Sequence, residues 1–102
     1  MKTSELTGAA LDWAVSEAEG CSYADYFEDG IRNRRKWSTN WAQGGSIIER
    51  EKIDLYYQHD LQWVAAPQKG VEYMGTTPLI AAMRCYVASK FGDEINIPEE
   101  LR

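Results

Sequence analysis

The chain has 102 residues, four Trp and six Tyr among them, and a formal charge of −5. That length makes one domain, spanning 1–102, with a core that needs no metal or disulfide. The net acidity excludes a general binder of double-stranded nucleic acid, which must neutralise phosphates with a basic face. Two cysteines, Cys21 and Cys85, are too few for a disulfide scaffold, and one histidine without a cysteine pair excludes a structural zinc site. No apolar run approaches a membrane span and no secretory leader precedes the first helical pattern. A reduced cytosolic protein is the expectation.

The first helix is expected over Ser4 to Glu19, with Thr3 as N-cap and Gly20 just past its end. Leu6, Ala9, Ala10, Trp13 and Ala14 recur at helical spacing and face the core. Glu5, Asp12, Ser16 and Glu19 fall on the opposite side. Residues 21 to 46 follow neither period. Tyr23, Tyr26 and Phe27 suit one short helical turn ended by Gly30, and Ser46 to Arg50 suits another. So long a connection is uncommon in a compact domain unless it carries function.

Three short strands come next. Ile53, Leu55 and Tyr57 alternate with Asp54 and Tyr56; Leu61, Trp63 and Ala65 with Gln62 and Val64; Val71 and Tyr73 with Glu72 and Met74. Gln58-His59-Asp60 and Pro67-Gln68-Lys69-Gly70 are turn material, so the strands form an antiparallel meander with one covered face. The last helix has Thr77 as N-cap, Pro78 at its first position and Gly92 after Phe91. Ile80, Met83, Val87 and Phe91 make its main stripe, while Ala81, Ala82, Cys85, Ala88 and Ser89 make a side of small residues. Such a helix is covered on both sides: by the sheet on one, and by the first helix or a second subunit on the other. That side motivates the expectation of a homo-oligomer. Residues 93–102 read as a tail packed through Ile95 and Ile97.

The class is therefore α+β: an N-terminal helix, a long functional loop, a three-stranded antiparallel meander and a C-terminal helix packed on the sheet. The order of elements is shared with the double-stranded RNA-binding domain. That module grips phosphates with basic residues opening its second helix, whereas this helix opens Thr77-Pro78-Leu79-Ile80. The activity is not implied.

Ser38-Thr39-Asn40-Trp41-Ala42-Gln43-Gly44-Gly45 stands out as a polar, Gly-ended loop with Trp37 and Trp41 on either side of its hydroxyls. The basic run Arg32, Arg34, Arg35, Lys36 precedes it. With Thr3 to Val15 at the start, this loop and Ile47-Ile48-Glu49 in the middle, and Thr77 to Ala88, Gly92-Asp93-Glu94 and Ile97-Pro98 near the end, nearly the whole chain resembles the NinX-like family of small accessory proteins of tailed bacteriophages. The resemblance implies a phage or prophage origin and action in the host bacterial cytoplasm. It supplies no mechanism. Asn40 replaces a usual Asp, Ser46 a usual Pro and Thr76 a usual Pro. Loss of the acid at position 40 makes the loop less negative and favours an anionic ligand.

Catalysis has little to stand on. The lone His59 lies in a turn, the acids Asp25, Glu28, Asp29 and Glu49 read as a solvated face, and Gly44-Gly45 lacks the strand and Lys-Ser/Thr of a P-loop. No enzyme, cofactor, metal or membrane is expected. The candidate ligand-binding residues are Arg34, Arg35, Trp37, Ser38, Thr39, Asn40, Trp41, Gln43, Gly44, Gly45, Thr76 and Thr77. In that reading an indole stacks on a base, an arginine meets phosphate and the last helix's amino end supplies N–H groups. The expected function is sequestration of a nucleotide-like signal or metabolite to counter host defence. The alternative is an inhibitor or adaptor that docks on a host protein.

Overall fold

The structure, a computed structural model, describes residues 1–20, 36–58 and 62–101. The expectations for Cys21, Tyr23, Tyr26, Phe27, Gly30, the acids 25, 28 and 29, Arg32, Arg34, Arg35, His59, Asp60 and Leu61 lie outside the described residues. A 3-10 turn (Thr3–Glu5) leads to helix α1 (Gly8–Ala18). Helix α2 (Trp41–Glu51) precedes strands β1 (Asp54–Gln58), β2 (Gln62–Ala66) and β3 (Tyr73–Gly75). Helix α3 (Pro78–Phe91) follows, with a last 3-10 turn at Glu99–Leu101.

The strands form the expected antiparallel meander, in the order β1-β2-β3. Leu55, Ala65 and Tyr73 are paired across the ladder, as are Tyr57, Trp63 and Gly75, so the alternation read from the sequence defines one face. Val71 departs from expectation: it lies ahead of β3 and is 73% exposed. On the opposite face Val64 is buried, flanked across the ladder by Tyr56 and Met74.

Helix α3 is the middle layer. It contacts the sheet, α1 and α2, and Ala81, Ala82, Met83, Cys85, Tyr86 and Val87 are all buried. The chain's own helices thus cover it opposite the sheet, and burial of α3 requires no second subunit. Thr77 caps it as expected, its Oγ1 accepting from the Ile80 amide at 3.1 Å, and Gly92 ends it with φ 84°. Burial pushes the Cys85 thiol up to about 11, as for a packed rather than reactive cysteine.

The first helix differs from its expected span. Gly8 takes φ 53°, with Leu6 and Thr7 extended before it, so the pattern splits into a 3-10 turn and α1, and the N-cap is Thr7 rather than Thr3. Thr3 is instead buried, its hydroxyl donating to the Gly92 carbonyl at 2.8 Å. The tail packs through buried Ile97 and half-buried Ile95, whose amide donates to the Met1 carbonyl at 3.0 Å.

The face of α1 expected in solvent is where polar groups join the helices. Asp12 and Ser16 are buried. The Glu19 carboxylate accepts from Arg50 Nη1 at 3.0 Å and Nη2 at 2.6 Å, and from the Tyr86 hydroxyl. One carboxylate thereby links α1, α2 and α3. The Arg50 hydrogen bonds hold Glu19 below the usual carboxylate value, whereas burial and Glu19 push the Tyr86 hydroxyl up.

Two predictions follow from this packing. A Cβ at Gly75 would lie 2.7 Å from the Ala81 amide nitrogen and 2.9 Å from Ile80 Cγ2. Gly75→Ala is expected to cost about 1–3 kcal/mol in urea unfolding, because helix backbone cannot move aside as a side chain can. For Glu19 the folded pKa is depressed, so its contribution is present above the unfolded carboxylate range and is lost as pH falls through the lowered folded value. Melting temperature should fall over that acid range, and Glu19→Gln should flatten the slope.

Candidate functional site

The segment 36–40 is a turn rather than an open loop. The Thr39 and Asn40 amides donate to the Lys36 carbonyl at 3.1 and 2.8 Å, and the Lys36 amide donates to Gln43 Oε1 at 2.7 Å. Two buried bonds fix it to α1: Trp37 Nε1 donates to Ser16 Oγ at 2.9 Å, and the Ser38 amide to Asp12 Oδ1 at 2.8 Å. Asn40 then caps α2, its Oδ1 accepting from the Ala42 amide at 2.9 Å. Asn is a favoured N-cap because its short side chain satisfies an amide that the helix leaves unpaired.

The expected loop 38–45 is therefore corrected. From Trp41 onward it is the first turn of α2, which runs to Glu51 rather than making one turn at 46–50. Trp37 is also corrected, since it is buried and joins the core cluster; Ser38 is buried as well. Gly44 is buried too. A Cβ there would stand 2.2 Å from the Trp37 carbonyl oxygen and 2.7 Å from Leu79 Cδ2, so its bareness lets α2 pack closely rather than receive a ligand. Gln43 braces the turn through Lys36. Gly45 lies beside the Trp41 ring, where a Cβ would make ordinary contact with Cε3 at 3.5 Å. Thr39, Asn40 and Thr76 are exposed.

Trp41 is 55% exposed. It shares a cleft of about 210 Å³ with Ser38, Thr39, Thr77, Leu79 and Ile80, so the structure sets the tryptophan against the amino end of the last helix as the sequence suggested. The cleft lies where α2 and α3 both begin. Their caps satisfy the Ala42 and Ile80 amides. Among the described residues the Trp41 and Leu79 amides have no acceptor. Ser38 Oγ, also buried, has no hydrogen-bond partner there. Each helix start carries positive partial charge. The cleft thus presents an indole, two threonines, two aliphatic side chains and a pair of helix ends. Among the described residues its lining holds no titratable group.

Sequence reasoning missed Leu79 and Ile80 as cleft walls, and Asp12 and Ser16 as the groups that position the turn. The four-residue spacing of Asp12 and Ser16 on one helical face was the available signal. A buried carboxylate is retained only where something satisfies it. Asp12→Ala should therefore destabilise the fold by about 1–3 kcal/mol in urea unfolding, through the stranded Ser38 amide. It should also broaden or shift the Trp41 indole resonance, reporting loss of the turn's position.

A search of the curated proteins finds no match. Among protein families, the model described as bacteriophage P22 NinX matches residues 2–90, taking in α1, the 36–40 turn, α2, the sheet and nearly all of α3. With that much of its length matched, the chain belongs to the bacteriophage P22 NinX family.

Proposed function

We propose that this phage protein is a non-enzymatic binding module of the host cytoplasm that takes a flat, anionic, nucleotide-like ligand at the Trp41 cleft. Sequestering such a signal or metabolite would counter host defence. One observation carries the reading: a half-exposed indole shares a cleft with the amino ends of two helices. Indole faces hold planar rings of any base, and helix amino ends attract anions through oriented N–H groups. Exposed Lys36 adds a cation near the same turn. Among the described residues the cleft lining supplies no acid or base, which favours binding over turnover.

The cleft's volume favours a second reading. At about 210 Å³ it is smaller than the roughly 300–1,000 Å³ of typical small-molecule pockets. It can seat one ring or one side chain and leaves the rest of a ligand in solvent. Trp41 beside Leu79 and Ile80 is also the kind of anchor on which protein interfaces concentrate their energy. In that alternative a host protein inserts a side chain here.

Thermal shifts with a panel of mono-, di- and cyclic nucleotides separate the readings. Ligand present at 100 times its Kd should stabilise the fold by about 2.7 kcal/mol. Trp41→Ala should abolish that shift while changing the unliganded stability by no more than about 0.5 kcal/mol, because the ring stands largely outside the core. A flat panel, together with a host protein captured by the wild type but not by Trp41→Ala, would reverse the ranking.

A further inference from the structure

A second cleft, of about 560 Å³, opens between the start of the chain, β3, α3 and the tail, and its size falls within the usual range for small-molecule sites. Arg84 lies in its wall. The guanidinium is fixed by Nε donating to the Leu6 carbonyl at 2.8 Å and Nη1 to the Met74 carbonyl at 2.7 Å. No carboxylate among the described residues forms an ion pair with it. Burial holds it below the usual arginine value, and among the described residues no acid offsets the loss of water. A half-buried, pre-oriented guanidinium without a counter-ion gains most from an anion that a ligand brings.

The rest of the lining restricts what that ligand can be. Lys2 adds one cation, but Glu72, Asp93 and Glu94 bring three carboxylates, so a polyanion is repelled. Glu72 is engaged, accepting from the Tyr56 hydroxyl at 2.9 Å, which leaves the two acids of the tail facing the cleft without an ion pair among the described residues. Met74, half-exposed, supplies an apolar wall. We propose that this cleft binds a small zwitterion, an α-amino acid or free dipeptide with an apolar side chain. Its carboxylate lies against Arg84, its ammonium against Asp93 and Glu94, and its side chain on Met74. The site is separate from the Trp41 cleft, so neither reading depends on the other.

The test is titration of the isotope-labelled full chain with L-phenylalanine to about 10 mM, a range that reports even weak binding. Saturable amide shifts are expected at Ser4, Tyr73, Arg84 and Glu94. Inorganic phosphate and the uncharged N-acetyl-L-phenylalanine amide should leave those amides unmoved. Arg84→Gln should weaken binding at least tenfold. Met74→Lys, at an exposed position that tolerates change, should do the same in a folded protein by filling the cleft with a cation. No saturable shift with L-phenylalanine, equal shifts with the uncharged analogue, or undiminished binding by the folded Met74→Lys variant would each overturn the proposal.

Discussion

The hydrogen bond from the Ser38 amide to the Asp12 carboxylate sits in the core, one helical turn from the bond between the Trp37 indole and Ser16. Together they fix both rotation and height of the 36–40 turn against α1. The turn in turn fixes where α2 begins, because Asn40 closes the turn and caps the helix with the same residue. Everything at the Trp41 cleft inherits its position from that chain of contacts. An apolar contact in place of Asp12–Ser38 would bury as much surface but would not define a register. A directional bond in a low-dielectric interior does both.

Elements carried by simple periodicity were legible in advance. The sheet order, the inner face through Leu55, Trp63, Ala65 and Tyr73, and the last helix with its Thr77 cap and Gly92 stop all follow from period and capping chemistry. What escaped has physical causes. Gly8, at the start of α1, adopts a positive φ that separates the helix from the 3-10 turn before it, and nothing in an apolar stripe announces that choice. Asp12, Ser16 and Glu19 were assigned to solvent because polarity normally marks an outer face, yet here each finds a polar partner on another element. Gly44 and Gly45 disguised the first turn of α2 as a loop. Gly44 is needed where the helix meets the Trp37 carbonyl, and tertiary packing outweighs its low helical propensity. At the candidate site, the meeting of Trp41 with Thr77 was legible, whereas the walls formed by Leu79 and Ile80 depend on that packing.

The short connection from β3 to α3 ties the two clefts to one rigid feature. Met74 lines the larger cleft and its carbonyl holds Arg84, while Thr77 lines the smaller one and caps α3. Between them Gly75 lies so close to the helix that no side chain fits. This close approach fixes how the first turn of α3 sits on the strand. A displacement of that turn would therefore disturb both clefts, although the ligand chemistries proposed for them differ.

Trp37 and Trp41 stand one helical turn apart in sequence and have opposite fates, because the extended backbone of Asn40 interrupts the helical period between them. The first fills the core and uses its N–H on Ser16; the second leaves more than half its surface in water. A single exposed apolar residue is ordinary on any protein. Trp41 differs in its neighbours: Leu79 and Ile80 extend its apolar surface, and two helix starts bring partial positive charge to the rim. Folding alone gains little from that combination, since among the described residues the ring belongs to no buried cluster. A flat group with a negative edge would use every part of it at once. On that ground the proposed ligand site rests on Trp41 and not on the buried Trp37.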